Sequence, residues 1–288
     1  MDTNELLKKV RNIEIKTKGL SNHIFSGKYQ TAFKGRGMDF SEVREYHSGD
    51  DIRSIDWNVT ARYNHPFSKV FDEEREMTII LLIDVSGSSD FGTNTQSKKD
   101  LATEIAAILS FSAIKNNDKI GVIFFTDKIE KYIPAKKGRS HTLRIIRELI
   151  TLKPSSKKTN IGSAIKYFNN VIKRRSICFV LSDFINDDFS KSLVIANRKH
   201  DIICIHIYDR LETNFPNIGL IKLYDPESGK NILFDTSDKH KRLNFKKRHQ
   251  EFTNKTINIL RKIGVQYISL ETGKDYVKPL INFFKNRD

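Results

Sequence analysis

Residues 81–90 read LLIDVSGSSD, and with the preceding MTII they form an unbroken apolar run that ends in Asp84 and is followed by Ser86, Ser88 and Ser89. A continuous apolar run of this length reads as a central strand covered on both faces. The carboxylate and hydroxyls then stand at the strand's carboxyl end, on a turn that Gly87 allows to bend.

Outward from this strand the chain alternates. SKKDLATEIAAILSFSAIKNN places Leu101, Ile105, Ile108, Leu109 and Ala113 at helical spacing, KIGVIFFT is a strand and IEKYIPAK its hairpin partner. RSHTLRIIRELITL and IGSAIKYFNNVIKR read as helices, and SICFVLSD as a second buried strand ending in an acid, Asp183. A helix (DDFSKSLVIANRKH), a strand (DIICIHIYD), a hairpin (GLIKLYD with KNILFD), a long basic helix, the strand VQYISLE and a closing helix from about Asp275 complete the pattern. This alternation predicts an α/β fold: a mostly parallel, doubly wound sheet with helices on both faces. Ligands of such sheets lie outside the carboxyl ends of the strands, where the strand order reverses. LLID and FVLSD therefore deliver Asp84 and Asp183 to one rim.

The first 75 residues do not fit the alternation and are read as an N-terminal extension, with residues 76–288 as the main domain. NELLKKVRNIEIK predicts an amphipathic helix. SGDDIRSIDW predicts a helix start with Ser48 as cap and Asp51 three residues on. Arg44, Arg53 and Arg62 are expected to pair with Asp50, Asp51 and Asp56 and hold this irregular stretch together.

The 288 residues carry 50 Lys and Arg against 35 Asp and Glu, a formal charge of +15. Basic charge favours nucleic acid, anionic lipid and acidic protein faces alike. The lysines are scattered through KKGRS, SSKKT, KRRS, KHKR and KKRH, as on a solvated surface. In the basic helix Leu243, Phe252, Ile259 and Leu260 are expected to pack inward, and nucleic acid ranks below an acidic protein surface as partner. No apolar stretch is long enough to cross a bilayer and MDTNELLKKVRN has no apolar signal core, so a cytoplasmic protein without direct membrane insertion is expected. Cys178 and Cys204, each inside an apolar run, read as buried free thiols.

Asp84, Ser86 and Ser88 make D-x-S-x-S, three hard oxygens aimed at one point. Hard oxygens in near-octahedral array suit magnesium or manganese, and three are too few, so other loops must contribute. Thr159, just before a helix, and Asp183 stand where the fold would supply them. Asp187 and Asp188 in SDFINDD are alternatives to Asp183, and the turn alone could instead merely cap the next element.

This combination resembles the metal-ion-dependent adhesion site of von Willebrand factor A domains. The resemblance implies that Ser86, Ser88 and Thr159 bind the ion directly, with Asp84 and Asp183 acting mainly through water. GRGMDFSEVREYHSGDDIRSIDWNVTAR followed by LLIDVSGSS looks like the family called domain of unknown function 58, which joins such an N-terminal signature to a von Willebrand A-like domain. Where the familiar site has Ser-Met after the glycine, this chain has Ser88-Ser89. The resemblance implies a non-enzymatic, metal-dependent protein-binding module using Mg2+, or Mn2+ or Ca2+. Its partner would offer an Asp or Glu to the metal, in the context of MoxR-type AAA ATPases that assemble or activate other proteins.

The rival chemistry is a magnesium-dependent phosphohydrolase or phosphotransferase with Asp84 as nucleophile. In the haloacid-dehalogenase pattern a general-acid aspartate follows two residues later; here that position is Ser86, a poor proton donor near neutral pH. The P-loop, nucleophile-elbow and H-E-x-x-H signatures are absent from the sequence.

Overall fold

The computed structural model describes residues 39–72, 76–92, 96–185, 188–224 and 231–285. The expected helix over residues 4–16 and the alternative ligand Asp187 lie outside them. The described residues up to Glu76 form one compact unit and those from Met77 onward another.

In the first unit, strand β1 (Asp39–Glu45) pairs antiparallel with β2 (Phe67–Asp72). Between them lie a 3-10 turn (Ile52–Ser54) and helix α1 (Trp57–Tyr63). The expected cap at Ser48 is corrected: Asp51 caps the 3-10 turn through the Arg53 N–H, and Asp56 caps α1 through the N–H groups of Asn58 and Val59. Two short elements each use their nearest acid, because an aspartate one residue ahead of a turn reaches its orphan donors directly. Of the expected Arg–Asp pairs, Arg44 and Asp50 form one at 2.7 Å. Asp56 has Lys69 as its cation, at 3.5 Å.

In the second unit six strands form one sheet: β3 (Thr78–Asp84), β4 (Lys119–Phe125), β5 (Ile129–Lys136), β6 (Ile177–Ser182), β7 (Asp201–Tyr208) and β10 (Gln266–Glu271). Their lateral order is β10-β7-β6-β3-β4-β5. All neighbours are parallel except β5, which pairs antiparallel with β4 at one edge. Counted within this sheet the order is 3-2-1-4-5-6, the doubly wound arrangement whose switch point lies between the first and fourth strands. Those strands are β3 and β6.

The β3 core justifies the reading of its apolar run, since Ile79 through Ile83 are all 1% exposed or less. Alternate residues serve opposite layers. Ile80, Leu82, Cys178, Val180, Ile202 and Cys204 share a core with helices α4 (Ile161–Val171), α5 (Ser190–Asn197) and the basic helix α7 (Lys239–Ile263). Helices α2 (Lys98–Lys115), α3 (Arg139–Thr151), the short α6 (Arg210–Thr213) and α8 (Val277–Lys285) complete the unit. Phe179 meets Phe284 of α8 edge-on. All five apolar positions named for α2 are fully buried, and a capping box between Ser97 and Asp100 starts that helix. The hairpin β8 (Leu220–Tyr224) and β9 (Asn231–Asp235) stands apart as a two-stranded sheet.

Both cysteines are buried free thiols on β6 and β7, as expected. Among the described residues no helix is long and apolar enough to cross a membrane.

Candidate metal site at the sheet switch point

Adjacent parallel strands β3 and β6 end level with one another, Ile83 opposite Leu181. Asp84 follows Ile83 directly and Asp183 follows Leu181 after Ser182, which brings both acids to the rim, and each is only 7% exposed. One backbone and one side-chain donor fix the first acid: one Asp84 oxygen accepts the Ser86 N–H at 3.0 Å and the other the Ser182 hydroxyl at 2.7 Å. Ser86 then begins a 3-10 turn (Gly87–Asp90). Its hydroxyl lies 3.2 Å from that of Ser88, and Ser88 in turn hydrogen-bonds Asp183. Four of the five candidate ligands are thus linked through side chains.

Thr159, the fifth, is half-buried on a loop held along the same rim. Gly87 N–H donates to the Lys157 carbonyl at 3.0 Å, and Asn160 N–H donates to the Thr126 carbonyl at 3.0 Å. Asn160 caps α4 through the Ser163 N–H, which sets the end of this loop. Asp188 takes another role, accepting the N–H and the hydroxyl of Ser190 at the start of α5 from an exposed position. Of the two described candidates, Asp183 is the one at the rim. Ser89, where the familiar motif has methionine, turns its hydroxyl back onto the Ser86 carbonyl at 2.7 Å and so braces the turn.

Three residues at the rim had no signal that we read from the sequence. Ser182 links Asp84 to the backbone by also accepting the Phe184 N–H at 3.1 Å, where Phe184 adopts a positive φ of 54°. Lys98, at the start of α2, is buried, and its ammonium lies 2.9 Å from Asp183 and 2.5 Å from Glu212. Glu212 belongs to α6, whose cap Asp209 donates its N–H to the Glu212 carboxylate. A lysine in a Lys-rich chain gives no hint of burial; the adjacency of Ser182 to Asp183 is the one usable clue.

Asp183 and Glu212 share the Lys98 ammonium, and Asp84 has no ion-pair partner among the described residues. Burial raises the Asp84 pKa to about 6, and the neighbouring Asp183 charge adds to the rise against the donors from Ser86 and Ser182. For Asp183, burial pushes up but the Lys98 ammonium outweighs it, so that carboxyl falls below its ordinary value. Burial also lifts Glu212, beyond what Lys98 restores. The partners of Lys98 hold its own pKa up although burial works the other way. Asp84 is therefore a buried acid with hydrogen bonds but no cation of its own.

That deficit fits a hard divalent cation beside Asp84, and the convergent serine hydroxyls are the right donor type. Among the described residues no cluster of three or more His, Cys, Asp and Glu forms a conventional metal cage. The candidate set relies instead on neutral hydroxyls.

The basic helix gives no stacking surface. Phe245 packs with Phe215 and Phe234 rather than projecting to solvent. Leu260 is buried and Phe252 and Ile259 are half-buried, but the expectation for Leu243 is corrected, since it is 52% exposed. It lies on the first turns of α7, ahead of the part that reaches the main core at Leu260.

The family model described as Protein of unknown function DUF58 matches residues 42–255. The chain belongs to this family. It is similar to Uncharacterized protein Rv1480 of Mycobacterium tuberculosis (strain ATCC 25618 / H37Rv), at 27% identity over 290 residues that cover 100% of this chain and 91% of that one. It is also similar to Uncharacterized protein YeaD of Bacillus subtilis (strain 168), at 28% identity over 109 residues, 38% of this chain and 25% of that one. Among solved structures, conserved hypothetical protein BatB from Bacteroides thetaiotaomicron aligns with a TM-score of 0.51 and 15% identity, over 73% of this chain and 97% of that one. At that identity the likeness speaks for fold alone. The fold is von Willebrand A-like.

Proposed function

We propose that this chain is a metal-dependent protein-binding module whose site is formed by Asp84, Ser86, Ser88, Thr159 and Asp183. The observation that carries the reading is the arrangement at the switch point: Asp84 and Asp183 lie buried at adjacent strand ends with the hydroxyls of Ser86 and Ser88 between them, and Lys98 pairs with Asp183 and Glu212 while Asp84, among the described residues, has no ion-pair partner. A bound magnesium-class ion supplies positive charge and an open coordination position for a carboxylate from a partner protein. The protein's own contribution is to hold the oxygens ready. The Ser86 N–H and Ser182 hydroxyl orient Asp84, the 3-10 turn presents Ser86 and Ser88, and Lys98 keeps Asp183 ionised. A ligand set with few charges leaves the ion electropositive, so a carboxylate would be the hot spot of the interface.

The resemblance to proteins found with MoxR-type AAA ATPases supports such an ATPase, or a client it assembles or activates, as the partner. The test immobilises the full chain and exposes it to native lysate with magnesium, with chelator, and with Asp84→Ala in place of wild type. Retention of an AAA ATPase by the wild type with magnesium alone is expected. Equal retention in all three lanes sinks the reading.

A further inference from the structure

A polar groove opens beside the rim that carries Asp183 and Glu212. One hollow of about 640 Å3 lies where β7 and β10 end against α7, lined by Tyr208, Ser269, Lys246 and His249. A second, of about 690 Å3, adjoins it and extends toward Pro216 and Gly273. The two share Arg210, Asn214, Glu271 and Lys274, which makes them one elongated depression.

Its charge is unbalanced. Glu271 is matched by Lys274 at 2.8 Å and accepts from the Tyr208 hydroxyl. Arg210 and Lys246 are exposed and, among the described residues, have no carboxylate within ion-pair distance. Burial lowers the pKa of His249, with the Lys98 charge acting in the same direction and the Asp183 charge against it.

The lining also argues for a chain rather than a small molecule. Small-ligand pockets are mostly apolar, with a few placed polar groups. Here the walls carry the amides of Asn214, Gln250 and Asn254, groups that both donate to and accept from a peptide backbone. The groove also connects to the rim: Arg210 and Thr213 bracket Glu212 on α6, and Lys98 ties Glu212 to Asp183.

We infer that this groove takes an acidic peptide segment of the partner, whose carboxylates engage Arg210 and Lys246 beside the carboxylate that docks at the Asp84–Asp183 rim. The inference rests on the binding-module reading for its partner, and on the groove's own charge and lining for its chemistry.

The test measures fluorescence anisotropy of a fluorescein-labelled ten-residue polyglutamate with the full chain, in magnesium and in chelator. The double variant Arg210→Glu/Lys246→Glu is compared with Arg174→Glu/Arg175→Glu, an equal charge change on exposed residues at the opposite, amino-terminal end of β6. We expect at least tenfold weaker binding for the groove double and less than twofold for the control. Equal weakening by both doubles would reduce the effect to bulk charge and overturn the groove. If chelator abolishes binding while the groove double leaves it unchanged, the metal site stands and the groove falls. If the groove double abolishes binding while chelator changes nothing, the groove stands and the metal reading falls. A ten-residue oligothymidylate that displaces the peptide at lower concentration would assign the groove to nucleic acid and overturn the peptide.

Discussion

The ammonium of Lys98 lies 2.9 Å from the carboxylate of Asp183, across 85 residues of sequence, with neither side chain more than 5% exposed. The pair joins helix α2 to the end of β6 inside the rim. Removing one member of a buried ion pair strands the other, which is costlier than never having had the pair. Lys98→Met should therefore destabilise the chelated protein by about 3–5 kcal/mol. Magnesium should recover part of the loss, because a cation then faces Asp183 again. Urea midpoints with and without magnesium measure both effects, and an unchanged midpoint in chelator would refute the role assigned to Lys98.

Asp84 makes stability depend on pH in an unusual direction. Its folded pKa is raised, from 3.8 to about 6, so its contribution is fully present below pH 3.8 and is lost as pH rises through 6. His200 and His206, both depressed to about 4 by burial, act oppositely, losing stability as pH falls from 6.5 toward 4. Comparing Asp84→Asn with wild type cancels the histidines. In chelator the variant should match wild type near pH 4 and exceed it by up to ~3 kcal/mol at pH 8. With magnesium at pH 8 the order should reverse, as read by thermal melting. A pH-independent difference between the two proteins would mean that Asp84 is ionised throughout.

Ser182→Ala tests the support of the site without touching a candidate ligand. It deletes the donor to Asp84 and the acceptor of the Phe184 N–H, both in a buried setting. Leaving such groups unpaired costs about 1–3 kcal/mol each. Magnesium affinity by isothermal titration should fall as Asp84 loses its orientation. Full affinity in a folded variant would show that Ser182 only stabilises the strand end.

Gly121→Ala serves as a control at the far side of the sheet. A Cβ at Gly121 would lie 2.8 Å from the Ala135 nitrogen and 2.9 Å from the Ile133 oxygen, backbone atoms of the antiparallel edge strand β5. Such overpacking should cost about 1–3 kcal/mol and lower the melting temperature. Magnesium affinity should persist in the folded fraction, since the rim at Asp84 is formed by β3 and β6. A large loss of affinity there would show that the register of β5 reaches the site.

Much of this arrangement is legible from local pattern. The run Ile79–Ile83 reads as a strand buried on both faces and Leu101 through Ala113 as a helix, because apolar periodicity is a local signal; the spacing does not show that this helix is covered almost all round, with Ala102, Ala106, Ser110 and Ser112 buried as well. The positions of Asp84, Ser86 and Ser88 at one strand end, and of Asp183 at another, follow from the same pattern. Local capping was less legible: Ser48 was a plausible cap, but Asp51 and Asp56 each stood nearer the donors of the two short elements that form. Leu243 misled because helical spacing says which residues share a stripe, not how far along the helix that stripe meets the core.

What the sequence by itself determined is the α/β alternation, the buried strands and the acid at the end of each, since every one of these depends on residues a few positions apart. The tertiary structure alone decided the strand order that sets β3 beside β6, and with it the juxtaposition of Asp84 with Ser182 and of Asp183 with Lys98 and Glu212. It also decided which charges balance. Whether a lysine is a solvated surface charge or a buried cation held between Asp183 and Glu212 depends on desolvation and on distances between segments far apart in the chain, and neither quantity is encoded in any one stretch of it.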